Sequence, residues 1–274
     1  MSRVTSLLSE GVSKGLLRRY ALMGLARTRL LSQRLVYEWA LVDRPHYAYG
    51  LLQAAREASA LGHSEMTAIE FGVAGGNGLV ALEEYARDIG IQEGLTIHVV
   101  GFDTGVGLPA PHDYRDLPFL WASGDFDMDV DALRRRLTTA QLKLGAISET
   151  LPEFLGQLPA GRPIGFISID VDLWSSTVDC LKVFEADASN LLPRVWCYFD
   201  DIVSTIPDIG ELLAIHEFNQ RHAQTKIRQP FNLQGNVPLQ PEWANQMWQA
   251  HRFDHPDYTR LLAKHSDREL PLTD

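Results

Sequence analysis

The stretch Glu70-Phe71-Gly72-Val73-Ala74-Gly75-Gly76-Asn77-Gly78 lies between an apolar run typical of a strand, Thr67 to Val73, and a helical pattern at Leu79 to Ile89. Glycine has no Cβ, so a glycine-rich turn lets the backbone approach a bound molecule closely. Glu70, near the end of the strand, can accept hydrogen bonds from that molecule. A strand, a glycine turn and a helix in this order predict a cofactor-binding α/β domain.

The spacing acid-x-Gly-x-x-x-Gly-x-Gly is formed by Glu70, Gly72, Gly76 and Gly78. It resembles the first signature of class I S-adenosylmethionine (SAM) methyltransferases, whose loop passes close to the methionine part of SAM. The resemblance implies that these four residues bind the cofactor. A dinucleotide fingerprint also matches Gly76, Gly78 and Ala81, but its first glycine would lie several residues past the end of the strand, so an NAD site fits less well. An ordinary tight turn is the remaining alternative.

Composition sets the class of protein. The chain has 274 residues, of which 45% are hydrophobic and 22% charged, and this is enough to bury a full α/β core. It contains no run of about 18 apolar residues, so we expect no transmembrane segment. Cys180 and Cys197 show no metal-ligand spacing and indicate buried thiols in a reducing, cytoplasmic compartment. The net charge of -10 argues against nucleic acid as a partner.

The amino-terminal segment differs from the rest in charge. Up to Val42 it has seven basic residues against two acidic ones, with apolar residues at helical spacing. We predict a basic amphipathic helical arm at residues 1–45 and a methyltransferase domain at residues 46–274. The favoured interpretation is that the arm packs on the acidic body of its own or a neighbouring subunit, and we expect a homo-oligomer. Peripheral contact of the arm with an anionic membrane surface is the alternative.

Strand-like and helix-like patterns alternate after the glycine turn. Further strands are predicted at Thr96–Asp103, Gln141–Ile147, Ile164–Asp170, Val195–Asp200, Lys226–Pro230 and Gln246–Phe253, the last as an edge strand. Helices are predicted at Asp129–Thr139, from Glu149, at Ser175–Ala188 and at Pro207–His222. This order indicates a Rossmann-like, doubly wound, mostly parallel seven-stranded sheet with an antiparallel last strand.

Asp103 ends the second predicted strand, about two dozen residues after the glycine turn. An acid at this point can accept both ribose hydroxyls of an adenosine, which SAM and NAD share. Asp103 is therefore predicted to bind the cofactor. The alternative is a turn aspartate that precedes Thr104-Gly105.

Four further acids follow two neighbouring strands. Asp170 and Asp172 end the fourth strand, and Asp200 and Asp201 end the fifth. The carboxyl ends of parallel strands meet at one edge of a sheet, so we expect the four carboxylates to converge beside the cofactor. Such a cluster repels itself unless a cation joins it, and oxygen ligands favour Mg²⁺ or Mn²⁺. Caps and turns are the alternative role for each acid.

The run Asp170-Val171-Asp172-Leu173-Trp174-Ser175-Ser176-Thr177 resembles the D-x-D-x-Y-x-S-T signature of the macrocin O-methyltransferase family, which methylates sugar hydroxyls of natural products. Similar segments are Gly101 to Pro109, Gly124-Asp125-Phe126, Glu149-Thr150-Leu151-Pro152 and the Asp200-Asp201 pair. The match spans Ile69 to Asp201, about half of the chain. Trp174 departs from the family's tyrosine, and Thr104-Gly105 departs from its Ser-Phe.

The resemblance implies that Asp170, Asp200 and Asp201 are metal ligands and that Asp172 is the general base. It implies Mg²⁺-dependent transfer of a methyl group from SAM to a hydroxyl of a small molecule, and the acceptor it implies is a sugar unit of a natural product or glycan. A metal-independent methyltransferase with a histidine base and a non-catalytic SAM-binding protein are the alternatives. The aromatic tail after Phe231 is interpreted as either a substrate lid or a subunit contact.

Overall fold

A computed structural model describes residues 16–28, 30–203, 206–237, 239 and 241–260. Its strands are β1 (Glu65–Phe71), β2 (Thr96–Asp103), β3 (Gln141–Leu144), β4 (Ile164–Ile169), β5 (Leu191–Phe199), β6 (Thr225–Arg228) and β7 (Met247–Arg252). Its α-helices are α1 (Leu16–Arg27), α2 (Gln33–Glu38), α3 (Pro45–Leu61), α4 (Asn77–Glu93), α5 (Val130–Arg136), α6 (Ile147–Gln157), α7 (Trp174–Leu181), α8 (Gly210–Arg221) and α9 (Leu233–Asn236). Each predicted strand is present, with ends that differ by a few residues.

The strands form one sheet in the order β3-β2-β1-β4-β5-β7-β6. β1 pairs in parallel with β2 and β4, and β5 pairs in parallel with β4. β7 is antiparallel to both β5 and β6. The chain leaves β1 toward one edge and returns to β4 on the other side, so the strand order reverses between β1 and β4. The predicted fold is confirmed, and a binding crevice is expected at the carboxyl ends of these two strands.

One detail of the predicted sheet is wrong. Gln246–Phe253 was predicted to be an edge strand, but β7 lies between β5 and β6, and β6 forms the edge. Met247 faces one buried cluster and Ala250 faces the other, so side-chain alternation along β7 reports which face of the sheet each side chain occupies. Edge position depends instead on which backbone groups are paired, and side-chain alternation carries no information about that pairing.

The sheet separates two buried clusters. Met66 and Ala68 of β1 face a cluster that includes Leu51 of α3 and Leu82 of α4. The alternate residue Phe71 faces the other cluster, where its ring centroid lies 5.0 Å from that of Phe102. Burial on both faces explains why the central strands are continuously apolar.

The end of the predicted arm packs on the same chain. The Tyr37 hydroxyl and the Gln33 amide both donate to the Asp88 carboxylate of α4, at 2.9 and 2.6 Å. Tyr37 and Leu41 are buried. Residues 1–15 of the predicted arm lie outside the described residues, and the division at residue 45 stays a prediction. Among the described helices, none is both long and apolar enough to cross a membrane.

Gly50 marks the closest approach of α3 to the sheet. A Cβ at Gly50 would lie 2.4 Å from Cε2 of the buried Phe166 ring, whereas a Cβ at Gly156 in α6 would meet nothing within 4 Å. We expect Gly50→Ala to destabilise the protein by about 1–3 kcal/mol through overpacking. Gly156→Ala should leave stability unchanged or raise it by up to about 1 kcal/mol through helix propensity. Thermal unfolding measures both, and a Gly50→Ala variant as stable as Gly156→Ala would contradict this packing.

Candidate active site

A cavity of about 350 Å³ lies at the carboxyl ends of β1, β2, β4 and β5. Backbone hydrogen bonds hold the chain just beyond these strands in register. The Gly72 N–H donates to the Phe102 carbonyl at 2.9 Å, and the Asp170 N–H donates to the Phe71 carbonyl at 2.9 Å. The Asp200 N–H donates to the carbonyl of Ile169 at 3.1 Å. The predicted convergence of the strand ends is therefore present.

The glycine turn forms one wall of the cavity, and its glycines are required by the backbone. Gly72 has φ +82°, and a Cβ there would lie 1.7 Å from the Asp170 carbonyl oxygen. Gly76 has φ +77° at the start of α4. A Cβ at Gly78 would lie 2.1 Å from Glu70 Oε1. Positive φ and close backbone approach both favour glycine, so all three positions serve the shape of this wall.

Glu70 lies behind the turn and is almost fully buried. The Tyr47 hydroxyl donates to Glu70 Oε1 at 3.0 Å, and the Ser168 hydroxyl donates to Tyr47 Oη at 3.0 Å. Glu70 Oε2 has no hydrogen-bond partner among the described residues. Burial raises the pKa of Glu70 to about 8, because the charged carboxylate loses water that one hydrogen bond does not replace. Glu70 thus adjoins the cavity with unused hydrogen-bonding capacity.

Asp103 shapes the turn from the end of β2. Its Oδ2 accepts hydrogen bonds from the Val73 and Ala74 N–H groups at 2.8 and 2.9 Å. Its Oδ1 accepts from the Gly105 N–H at 2.7 Å. A carboxylate has about four acceptor positions, so roughly one remains for a ligand. Both predicted roles, turn aspartate and ligand acceptor, are compatible with this geometry.

The segment between β2 and α5, residues 104–129, covers the cavity. It is pinned by Asp116, a fully buried carboxylate that accepts hydrogen bonds from the N–H groups of His112 and Ser175, each at 2.8 Å. Asp116 thereby ties the segment to the first turn of α7.

Trp174 is the residue that departs from the tyrosine of the family signature, and it does not line the cavity. The Arg115 guanidinium lies 3.5 Å from the centroid of its ring.

Sequence reasoning missed Asp116, because Ser175, its partner in α7, lies 59 residues further along the chain. Leu108, Pro109, Trp121 and Phe126 of the same segment provide an apolar end to the cavity.

The four predicted acids all line the cavity. Carboxylate oxygens of Asp170, Asp172 and Asp201 lie within 4.8 Å of one another. Asp200 Oδ1 instead accepts a hydrogen bond from the Tyr198 hydroxyl at 2.6 Å. Asp172 adopts φ +59°, a strained conformation for a residue with a Cβ, and such strain is typical of functional sites.

The crowding of negative charge raises the pKa of the carboxyl groups in the cluster. Burial, together with the charges of Asp200 and Asp201, raises the pKa of Asp170 to about 7. Burial, together with the charges of Asp201 and Asp170, raises the pKa of Asp172. Burial and the charge of Asp200 raise the pKa of Asp201. The cause is twofold, since each carboxylate loses solvation and lies beside other negative charges.

Two residues beyond the predicted set support the Asp200-Asp201 turn. Glu211, at the start of α8, is fully buried, and its Oε2 accepts a hydrogen bond from the Asp201 N–H at 3.1 Å. Gln246 donates from Nε2 to the Asp200 carbonyl at 2.6 Å. Sequence reasoning missed both, because a buried glutamate and a glutamine before a strand carry no signature of their own.

The comparisons with known proteins concern the fold. The crystal structure of the calicheamicin methyltransferase CalS11 matches with a TM-score of 0.52 at 20% identity, over 89% of this chain and 93% of that one. The structure of the O-methyltransferase NovP matches with a TM-score of 0.51 at 14% identity, over 74% of this chain and 77% of that one. The chain shares the fold of these two methyltransferases. No protein-family model matches the chain, and no curated protein matches it.

The residues of this methyltransferase fold suit a divalent cation. The converging ligand atoms are all carboxylate oxygens, the donors that Mg²⁺ and Mn²⁺ prefer. Asp201 Oδ2 and Glu211 Oε1 are buried without a hydrogen-bond partner among the described residues. Buried oxygens without a partner are costly, and a cation beside Asp201 would remove part of that cost.

Among the described residues, no histidine and no aromatic residue of the tail lines the cavity. His251 Nδ1 lies 2.9 Å from the Tyr258 hydroxyl, and the His222 ring stacks on Phe218. Trp243 is buried in the core, and none of these residues lines the cavity. In the described part of the chain, the covering element is therefore the segment 104–129 rather than the aromatic tail.

The cluster makes stability depend on pH when cations are removed. A carboxyl group with a raised pKa binds its proton more tightly in the folded state than in the unfolded state. The resulting stability is fully present below the unfolded pKa of 3.8 and is lost as pH rises through the folded value of about 7 for Asp170. In chelator we therefore expect the melting temperature to fall between about pH 4 and pH 7.

Asp172→Asn should reduce this fall, because the amide removes one carboxylate from the cluster. Asp131→Asn, at an exposed position on α5, is the matched control and should keep the full slope. A melting temperature that is constant or rises over this range in the unmodified protein would contradict the charge crowding.

Proposed function

We propose that the protein is a SAM-dependent O-methyltransferase that uses Mg²⁺ or Mn²⁺ and methylates a hydroxyl of a small molecule. The observation that carries the proposal is one cavity, in a methyltransferase fold, lined by both the glycine turn and the four acids. A glycine turn alone suits many cofactors, and an acid cluster alone suits many cations. Their union in one cavity suits methyl transfer to an oxygen that must lose a proton.

The proposed cofactor site uses the predicted residues. Gly72, Gly76 and Gly78 leave room for the cofactor at the turn, and Glu70 supplies acceptor capacity behind it. Asp103 offers its remaining acceptor position to a ribose hydroxyl while its other positions hold the turn. This double role makes Asp103 important for both turn shape and affinity.

The proposed cation site comprises Asp170, Asp200 and Asp201. Asp200 would contribute Oδ2, because Tyr198 binds Oδ1 and orients the carboxylate as an outer partner. A bound divalent cation supplies Lewis acidity that lowers the pKa of an acceptor hydroxyl. Asp172 is the proposed base that receives the hydroxyl proton, and its location beside Asp170 and Asp201 keeps it within the same cavity.

A sugar unit of a natural product or glycan is the proposed acceptor. The resemblance of the Asp170–Thr177 run to the macrocin family supports the sugar. The names of the structural neighbours, a calicheamicin methyltransferase and an O-methyltransferase, support methyl transfer to an oxygen. Two free, buried cysteines, Cys180 and Cys197, suit the proposed cytoplasmic location. A homo-oligomer remains part of the proposal.

Calorimetric titration of S-adenosylhomocysteine tests the cofactor assignment. We expect saturable binding of S-adenosylhomocysteine and no heat from NAD under the same conditions, because the glycine spacing follows the methyltransferase signature. Absence of S-adenosylhomocysteine binding, or preferential binding of NAD, would contradict the proposal.

Binding of Mn²⁺, followed by electron paramagnetic resonance, separates the roles of the acids. We expect Asp200→Asn to weaken Mn²⁺ binding about tenfold or more, since it loses a charged ligand. Asp172→Asn should bind Mn²⁺ with a smaller loss and lose turnover. A large loss of Mn²⁺ binding in Asp172→Asn with little loss in Asp200→Asn would contradict these roles. It would place Asp172 among the ligands with Asp170 and Asp201, whose carboxylate oxygens lie within 4.8 Å of one another.

A further inference from the structure

The cavity has a lopsided charge. Among the described residues that line it, six are acidic and one is basic. The acids are Glu70, Asp103, Asp170, Asp172, Asp200 and Asp201, and the basic residue is Arg44. Of the charged side chains in the described lining, Arg44 alone would attract a negative group of a ligand.

The backbone of Arg44 is fixed in place, but its side chain has no anionic partner among the described residues. It precedes the first residue of α3, and its backbone N–H donates to the Tyr85 hydroxyl at 3.3 Å. Its guanidinium carbon lies 5.5 Å from the centroid of the Tyr47 ring. The guanidinium forms no ion pair or hydrogen bond with a described side chain, whereas Arg162 and Arg194 each pair with a glutamate. An arginine half-buried in a cavity wall with free donors is a ready site for an anion.

Its neighbours place Arg44 at the glycine-turn end of the cavity. Tyr47, which lies next to the Arg44 guanidinium, donates to Glu70 Oε1. A Cβ at Gly78 would lie 3.1 Å from Tyr47 Oη, so Tyr47 and Glu70 both pack against the start of α4. Burial raises the pKa of Glu70 and of Asp170, and the positive charge of Arg44 opposes that rise in both. The positive charge of Arg44 thus stabilises the carboxylates of Glu70, on β1, and of Asp170, at the end of β4.

The proposed cofactor has charged groups of both signs. The methionine part of SAM carries an ammonium, a sulfonium and a carboxylate. The six acids attract the two cationic groups, but they repel the carboxylate unless a cation lies next to it. The apolar end of the cavity, with Leu108 and Trp121, suits the flat adenine ring instead. The amino-acid tail is therefore matched to the opposite end, where Arg44 lies.

We propose that Arg44 binds the carboxylate of the cofactor's amino-acid tail. This inference rests on the proposed function. It assigns to the last residues of the predicted arm a direct part in cofactor binding, because Arg44 lies within residues 1–45.

The test compares S-adenosylhomocysteine with its decarboxylated analogue, which lacks only the carboxylate. Calorimetry measures both ligands against the unmodified protein, Arg44→Gln and the control Arg87→Gln, whose arginine is exposed and pairs with the adjacent Asp88. We expect Arg44→Gln to weaken S-adenosylhomocysteine on the order of tenfold to a hundredfold and to leave the analogue unchanged. The preference of the unmodified protein for S-adenosylhomocysteine over the analogue should disappear in the variant.

The outcomes distinguish this inference from the proposed function. Arg44→Lys keeps the charge and should recover part of the lost affinity, while thermal unfolding checks that all variants are folded. Unchanged affinity for S-adenosylhomocysteine in Arg44→Gln, or an equal loss for both ligands, would overturn the carboxylate role and leave the methyltransferase assignment intact. If the unmodified protein binds neither ligand, the proposed function itself fails.

Discussion

The crowding of carboxylates at one edge of the sheet is the constraint on which the site depends. The parallel pairing of β1, β4 and β5 leaves no freedom in where Asp170 and Asp200 emerge, because the N–H of each donates to the residue that ends the neighbouring strand. Burial then removes the water that would otherwise screen their charges. Folding of this sheet therefore creates a concentrated negative site before any ligand arrives, and the raised pKa of Asp170 is the physical sign of it.

The residues around the site position its carboxylates without neutralising their charge. Tyr198 binds one oxygen of Asp200, while Glu211 and Gln246 bind only backbone groups of the Asp200-Asp201 turn. None of these contacts neutralises a carboxylate. Asp116 likewise accepts hydrogen bonds from backbone N–H groups, and these bonds fix the covering segment to α7. The net effect is a cavity whose negative charge remains available to cations, with Arg44 as the single positive side chain among the described lining residues.

Sequence reasoning reached the features that follow from periodicity and strand ends. Asp103, Asp170 and Asp200 were predictable because each follows an apolar run, and the ends of parallel strands meet at one edge. Arg44, Asp116 and Glu211 were not predictable, since the role of each depends on which residues lie beside it in the folded chain; Ser175, which donates to Asp116, is 59 residues away in sequence. The position of β7 was missed because side-chain alternation does not report which strand a backbone pairs with. The hydrogen bond from Tyr198 to Asp200 was not predicted, because the sequence does not show how a side chain is oriented at the end of a strand.

The most direct test of the account is a crystal structure of the protein with S-adenosylhomocysteine and Mn²⁺, using the anomalous signal of manganese to locate the ion. We expect S-adenosylhomocysteine to lie in the cavity against the glycine turn, and the manganese peak to lie among the carboxylates of Asp170, Asp200 and Asp201. A cavity that stays empty at saturating ligand, or a manganese peak away from these acids, would contradict the claim that one site holds cofactor and cation together.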